Sequence, residues 1–461
     1  MSVFKAYDIR GLAHSELDSD FAERLGKSLA THLSANTIAV ARDIRDSGPE
    51  LHSAFLKGLN SSGVDVLDLG ITTTGVLYRA TVDLSVDAAV VITASHNPPE
   101  YNGFKICNGA LPMAGKELQE LKKTFDNNLF KQGNGIVKDY SQFEDKYLDT
   151  IVSNAGIPRR KIKIAIDCGN AVPGPLTIKL MEKLNVDLIP VHCDWDNKFP
   201  NHPPDPTRPE NMKDLAKAVV ENNAEFGIGM DGDGDRIGVV DQEGRFIHPD
   251  RLMTIFVKDI LAERKGGTES ERTVFYDVKC SMALEEAIYS SGGIPKMVRT
   301  GHSFMKRELK ENPDSPLAGE MSGHFFLNDR WPGFDDSLYN TARLLEIIAR
   351  EPSPNDGGPK FSDWFEDLPK YASTGEAKVP LTMNRNETMD SVERKFSDMK
   401  YSTVDGVRVR YPEGWFLCRP SNTEPILVMR AEANDEQGLI KIKQNIEERL
   451  GGIINLEKFH N

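Results

Sequence analysis

The feature that most constrains this chain is a strand, helix, strand pattern that comes three times in series with comparable spacing. In the first copy Thr37-Ile38-Ala39-Val40-Ala41 reads as a buried strand. Leu51, Phe55 and Leu59 then form one face of a helix closed by Ser62-Gly63, and Val64-Asp65-Val66-Leu67-Asp68 is the next strand. The second copy runs from Ile162-Lys163-Ile164-Ala165-Ile166 through a helix near Leu176 to Leu184 and on to Val186-Asp187-Leu188-Ile189. The third runs from Thr273-Val274-Phe275-Tyr276 through Met282 to Tyr289, stops at Gly292-Gly293 and resumes at Met297-Val298. Helices alternating with buried strands predict an α/β protein of three related domains in series. After a linker-like stretch at 351–359, rich in proline and glycine, come a short helical pattern (Met389 to Met399), the strands Val407-Arg408-Val409-Arg410 and Ile426-Leu427-Val428-Met429, and an amphipathic helix with Leu439, Ile442, Ile446 and Leu450. That is a fourth, different α+β domain. The expected spans are 1–145, 146–248, 249–360 and 361–461. An earlier helix, with Phe21, Leu25, Leu29 and Leu33 on one face, reads as core packing.

Composition narrows the partners. At 461 residues the chain has room for two to four domains. Lys and Arg total 56 against 70 Asp and Glu, a formal charge of −14 and the wrong sign for a broad nucleic-acid surface, so any anionic ligand must meet local cations. The five cysteines are scattered without a Cys-x-x-Cys pair, so they indicate neither a disulfide framework nor a zinc site, and they fit a reducing cytoplasm. No apolar leader follows Met1, and the longest apolar stretch, around Ala88 to Ala94, is far too short to span a membrane. Neither nucleic acid nor membrane is expected as a partner; monomer and homodimer both stay open.

The densest acidic run is Asp231-Gly232-Asp233-Gly234-Asp235-Arg236, between the apolar segments Phe226-Gly227-Ile228 and Ile237-Gly238-Val239-Val240. Three carboxylates at alternating positions repel one another, and the glycines let the chain curl until all three converge on one hard divalent cation. A solvated acidic turn is the plainer alternative. An EF-hand fails, because its sixth position is Arg236 and its twelfth Gln242. A haloacid dehalogenase-type Asp-x-Asp fits poorly around Asp235. The second cluster, Ile92-Thr93-Ala94-Ser95-His96-Asn97-Pro98-Pro99, follows the buried strand Asp87 to Val91, so Ser95 is presented where α/β sheets bind ligands. There is no Gly-x-Ser-x-Gly elbow, and Ser-His-Asn-Pro is also a good hydrogen-bonded turn. The third is Gly319-Glu320-Met321-Ser322-Gly323-His324. The fourth, Arg419-Pro420-Ser421-Asn422-Thr423-Glu424-Pro425, holds the guanidinium, hydroxyls and amide that wrap a phosphate dianion.

Taken together and in this order, with Ala6-Tyr7-Asp8-Ile9-Arg10-Gly11 and Tyr101-Asn102-Gly103-Phe104-Lys105, these motifs resemble the α-D-phosphohexomutases, and within them the bacterial and archaeal phosphomannomutase/phosphoglucomutase group. The resemblance spans residues from about 4 to 432 and implies four domains around a central cleft. It implies that Ser95 is a phosphoserine, that Asp231, Asp233 and Asp235 hold Mg²⁺ with an oxygen on Ser95, and that a hexose 1,6-bisphosphate is both intermediate and primer. It implies a distal phosphate site at Arg419, Ser421, Asn422 and Thr423, and sugar contacts from Glu320 and Ser322. Arg10, Lys105, His96, His302 and His324 fall near the reacting groups, with Lys105 or His324 candidates for proton transfer. Tyr7, Gly301, Arg236 and Lys279 complete the expected ligand contacts; Arg236 reads equally well as an ion-pair partner of the aspartates, and His302 as a plain loop histidine. Two departures stand out: Gly75 lies where the family usually has proline, and Met321 where phosphoglucosamine mutases show glutamine. The second favours mannose or glucose phosphates, with glucosamine phosphate the nearest alternative. A noncatalytic sugar-phosphate binder and a metal-dependent phosphatase are the readings from other classes.

Overall fold

The computed structural model describes residues 3–381, 384–421 and 426–460. Its first three sheets are built on one four-strand unit. In the first, Thr37–Arg42 lies parallel to Asp65–Ile71 on one side and to Ala88–Ile92 on the other, and Tyr101–Asn108 runs antiparallel to Ala88–Ile92. In the second, Lys163–Asp167 lies between Asp187–Val191 and Phe226–Met230, with Ile237–Val240 antiparallel to the latter. In the third, Thr273–Asp277 lies between Ile294–Val298 and Leu317–Gly319, with Phe325–Leu327 antiparallel. The loop that joins the third strand of the unit to its antiparallel fourth is therefore the same loop three times, at residues 93–100, 231–236 and 320–324. The serine motif, the aspartate run and the Glu320 motif occupy these equivalent positions.

The fourth sheet is antiparallel around Gly414–Pro420, which pairs with Val407–Tyr411 and Ile426–Ala433. Helix Glu436–Leu450 covers it with Leu439, Ile442, Ile446 and Leu450 buried, the face that the periodicity predicts. One apolar core runs from Ala39 and Val91 in the first sheet through Ile164 and Ile228 in the second to Val274 and Phe325 in the third. The last domain has its own core around Phe396, Phe416 and Met429, and touches the third through Val278, Trp415 and Leu417. The stretch that reads as a linker leads straight into that first core: Phe361 stacks on Phe226 at 4.3 Å, and Phe361, Phe365 and Leu368 are buried in it, although the sequence pattern groups them with the C-terminal domain. Their aromatic spacing is a packing signal hidden by the prolines before it.

Gly75 also finds its reason. It sits in the first turn of helix Thr74–Asp83, where a Cβ would stand 2.7 Å from Cγ of Asp336, so the carboxylate occupies the space a side chain would take. Asp336 caps helix Ser337–Ile348, accepting from the amides of Leu338 and Tyr339 at 3.1 Å and from the Tyr147 hydroxyl at 2.7 Å. Burial nevertheless pushes its carboxyl up to about 6, against those hydrogen bonds. Because the folded carboxyl keeps its proton to a higher pH than the unfolded one, this group's contribution to stability falls as pH rises from about 4 to about 6 and is level above that. Asp336→Asn keeps the Oδ1 acceptor and removes the charge. Its stability relative to the parent is expected to improve by about 2–3 kcal/mol between pH 4 and pH 7. Urea unfolding of both proteins at the two pH values checks this, and an equal difference at both would show that Asp336 ionises normally.

Candidate active site

Three sheets aim their equivalent loops into one cleft of about 1120 Å³. Ser95 stands near the start of the first loop with φ 52°, a left-handed conformation costly for a serine and found where a site over-determines its backbone. The buried Arg45 guanidinium holds that loop by its carbonyls, donating to Ser95 O and Asn97 O at 2.7 Å, Pro98 O at 2.6 Å and Tyr101 O at 3.0 Å. Asp43 in turn accepts from Arg45 Nε at 3.0 Å and from the Thr93 hydroxyl at 2.6 Å, and Thr93 Oγ1 accepts from the Ser95 amide at 2.9 Å. None of this support is visible as a motif, since Asp43 and Arg45 lie 50 residues before the serine loop they hold.

The aspartate loop presses against the serine loop. A Cβ on Gly232 would fall 2.2 Å from Ser95 O, so no other residue fits there without moving backbone. Ser95 Oγ donates to Asp231 Oδ2 at 2.8 Å, and the Thr74 amide and hydroxyl, at 2.9 and 2.6 Å, pin Asp233 from the first domain. Asp231, Asp233 and Asp235 are all buried, each offering an oxygen within 4.8 Å of the others. Lys105 extends from strand Tyr101–Asn108 into this cage, ion-paired with Asp233 and, at 2.6 Å, with Asp235. Oδ1 of Asp233 is buried without a hydrogen-bond partner, and Oδ1 of Asp235 has only His324 Nε2 at 3.3 Å. An all-oxygen set with an orphaned carboxylate oxygen fits a hard divalent cation. The crowding explains the titration. Burial and the two neighbouring carboxylates push Asp231 well above the usual carboxylate range, while Lys105, despite its burial, is held as an ammonium by Asp233 and Asp235.

The third loop brings Glu320, Ser322 and His324. Glu320 accepts from the Gly301 amide at 2.5 Å and faces His324 Nδ1 at 2.9 Å, with the Ser322 hydroxyl 3.2 Å away. Burial pulls the His324 imidazole down, but Asp235 at 3.3 Å and Glu320 overcome it and raise it to about 9; Arg236 Nε, 3.1 Å from the same Nε2, opposes them. His302 differs. It opens helix His302–Glu311 after Gly301, stacks on His324 at 5.6 Å with Tyr7 at its edge, and leaves Nδ1 without a hydrogen bond. Burial, with Lys306 and Lys105 nearby, holds it well below the ordinary histidine value, hence neutral. Arg10 reaches Asn97 Oδ1 at 3.1 Å and Asp8 at 2.6 Å, and His96 Nδ1 lies 3.2 Å from Ser95 Oγ.

Tyr7, Arg10, Ser95, His96, Lys105, Arg236, Gly301, His302, Glu320, Ser322 and His324 all line the cleft. Lys279 does not: its ammonium is taken by Glu376 at 2.9 Å, joining the third domain to the fourth. Arg419 donates from Nε to Asp405 Oδ2 at 2.7 Å, and the same oxygen accepts from the amide of Thr300 on the cleft wall, so the phosphate-loop arginine stands beside the cleft rather than in its lining. Ser421 is buried next to it, while Asn422 and Thr423 lie outside the described residues. Met321 packs its side chain against the apolar core and does not line the cleft, so it carries none of the substrate preference read from it in the sequence. Asp205 belongs to none of the motifs read from the sequence. It lines the cleft, and although burial opposes ionisation, His96 and Arg236 hold its carboxyl down at about 2.

A serine against a carboxylate cage, with cations around it and a roomy polar cleft in front, defines a phosphoryl-transfer enzyme on a threefold α/β scaffold. The models of the phosphoglucomutase/phosphomannomutase family match in order: alpha/beta/alpha domain I at residues 1–132, domain II at 145–244, domain III at 248–371 and the C-terminal domain at 376–449. The phosphomannomutase/phosphoglucomutase of Pseudomonas aeruginosa is 39% identical over 458 residues, covering 98% of this chain and 96% of that protein. The phosphoglucomutase of Neisseria gonorrhoeae is 40% identical over 457 residues, covering 96% of each. The crystal structure of a phosphoglucomutase/phosphomannomutase family protein from Burkholderia thailandensis superposes with a TM-score of 0.89 at 40% identity, covering 98% of this chain and 97% of that one. The chain belongs to the phosphoglucomutase/phosphomannomutase family, whose members are intramolecular phosphotransferases.

Proposed function

We propose that the protein interconverts the 1- and 6-phosphates of mannose and glucose through a phosphoserine at Ser95 and a hexose 1,6-bisphosphate. The observation that carries this is Ser95 Oγ, 2.8 Å from Asp231 in the carboxylate cage and open to the cleft. Asp231, Asp233 and Asp235 would hold Mg²⁺, which when bound neutralises charge on the transferring phosphoryl group. As the bond from the Ser95 oxygen to phosphorus breaks, the sugar hydroxyl forms its own; Arg10, Lys105 and Arg236 face the equatorial oxygens, and His96 flanks the departing serine. The hydroxyl proton needs a neutral acceptor. His302, which lines the cleft and is kept neutral by burial, meets that need better than Lys105 or the charged His324. The bisphosphate then turns and returns its other phosphate to Ser95.

Glu320 and Ser322 read sugar hydroxyls common to both orientations, with Tyr7 and Gly301 behind them. Arg419, Ser421, Asn422 and Thr423 anchor the phosphate that is not reacting, and Lys279 secures that fourth domain through Glu376. The four domains, taken as 1–145, 146–248, 249–360 and 361–461, then give one function each: nucleophile, metal, sugar and distal phosphate. All five cysteines are unpaired and buried, which supports a reducing compartment such as the cytoplasm, and no helix among the described residues is long and apolar enough to cross a membrane.

A coupled assay with Mg²⁺ and a trace of glucose 1,6-bisphosphate tests the reading. Mannose 1-phosphate and glucose 1-phosphate are expected to turn over, glucosamine 1-phosphate much less, without release of inorganic phosphate. Chelation is expected to abolish turnover and added Mg²⁺ to restore it. Steady phosphate release would favour a phosphatase; bound substrate with no product would favour a binding protein.

A further inference from the structure

A second cluster of donor groups lies outside the cleft, at the C-terminal edge of the parallel strands of the second sheet, where open α/β sheets present their loops to ligands. Asp167 ends strand Lys163–Asp167, His192 directly follows the adjacent strand Asp187–Val191, and His202 comes from the loop beyond. One donor atom from each of these three residues lies within 4.8 Å of the other two. His202 Nε2 is 3.1 Å from Asp167 Oδ2, and His192 Nε2 is 3.0 Å from Oδ2 of Asp214, which helix Lys213–Asn222 supplies. The two imidazoles meet edge to face at 5.6 Å.

The cluster is held from behind. His202 Nδ1 is 2.8 Å from the carbonyl oxygen of Pro203, which can only accept, so Nδ1 carries the proton and Nε2 is turned toward Asp167. The Gly169 amide donates to Asp167 Oδ1 at 2.8 Å and leaves Oδ2 facing the histidines. Carbonyls behind imidazoles and amides behind carboxylates are what fix the ligands of metal sites. The backbone is strained at the same place: His192 has φ 46° and Asn170 φ 58°, locked together by the Asn170 amide donating to His192 O at 2.7 Å. Asp167 is buried, whereas the His192, His202 and Asp214 side chains are 21%, 15% and 53% exposed, so an ion can enter from solvent.

We propose that Asp167, His192 and His202 bind one divalent transition-metal ion, Zn²⁺ by the chemistry of the donors, with Asp214 beside His192. Two imidazoles and one carboxylate, with a water as fourth ligand, suit a borderline ion in tetrahedral coordination, whereas Mg²⁺ prefers oxygen donors and its own waters. With metal to donor bonds of about 2.0–2.1 Å, tetrahedral donors stand about 3.3 Å apart. The His202–Asp167 pair at 3.1 Å already meets that spacing, and a His192 donor lies within 4.8 Å of both. The site is structural in consequence. Pro203, which orients His202, precedes Pro204, whose carbonyl accepts from the Gly232 amide at 3.1 Å in the aspartate loop. An ion here therefore stiffens the back wall of the catalytic cage.

The test uses the full-length protein in saturating Mg²⁺, which occupies the oxygen cage, titrated with Co²⁺ as a spectroscopic stand-in for Zn²⁺. One equivalent of Co²⁺ is expected to bind with the intense visible absorption of tetrahedral coordination, to be displaced by Zn²⁺, and to raise the unfolding temperature. His192→Gln and His202→Gln are each expected to weaken Co²⁺ binding by about tenfold or more and to remove the visible bands. Asp231→Asn is expected to leave them. His192 is partly exposed, so its variant should fold, and a metal-free melt matching the parent would establish that. Weak octahedral absorption only, bands that survive in the folded His192→Gln protein, or bands lost instead in Asp231→Asn would each overturn the proposal.

Discussion

Ser95→Ala is expected to remove mutase turnover by about four orders of magnitude or more while leaving the fold intact, because the proposed reaction has no other group to carry the phosphoryl between substrates. The side chain gives little to stability: its hydroxyl makes a hydrogen bond to Asp231, and the amide that holds the loop to Thr93 survives the substitution. Alanine tolerates φ 52° about as badly as serine, so the backbone cost is already present in the parent. Intact-mass measurement after incubation with glucose 1,6-bisphosphate should show one phosphate on the parent and none on the variant. Phosphate on the variant, or turnover within about tenfold of the parent, would move the nucleophile elsewhere and sink the phosphoserine reading.

Arg45→Ala should be the most damaging substitution away from the reacting atoms. Removing this guanidinium leaves four loop carbonyls without their donor and Asp43 as an uncompensated buried charge, a loss of about 3–5 kcal/mol. The serine loop then keeps only the Thr93 and Asp231 hydrogen bonds to hold Ser95 against the Gly232 backbone, and a displacement of about 1 Å at a nucleophile costs on the order of a hundredfold in rate. Arg45→Lys keeps the charge but cannot reach four acceptors at once, so it should restore stability in part and activity less. Denaturant unfolding and kcat measured side by side check this; an alanine variant with parental kcat would show that the loop holds itself.

The parts of the site that could be read in advance are those whose chemistry is contiguous. Three carboxylates in five residues, or a serine before two prolines at a strand end, are visible because neighbours in sequence are neighbours in the site. Arg45, Asp43 and Thr74 were not, since each acts on a loop 50 or more residues away, and Thr74 reaches Asp233 across 159. The repeat was legible as three elements, yet its fourth, antiparallel strand read only as the motif around Lys105. A strand paired on both sides that carries a buried lysine breaks the apolar pattern by which strands are found. Met321 shows the reverse error, a position with family meaning whose side chain in this chain faces the core. His302 could not be told from a loop histidine until burial and its stacking on His324 were seen.

Because the same turn of each repeated unit carries a different third of the chemistry, no unit is dangerous by itself. On the proposed function, the serine without the aspartates has no place for a phosphoryl group, and the aspartates without Glu320 and its histidine have no sugar to act on. Reactivity is thus a coincidence circuit that closes only when the three units share their common core. A chain caught half-made, or one that opens at a single joint, falls silent and does not squander phosphate on water.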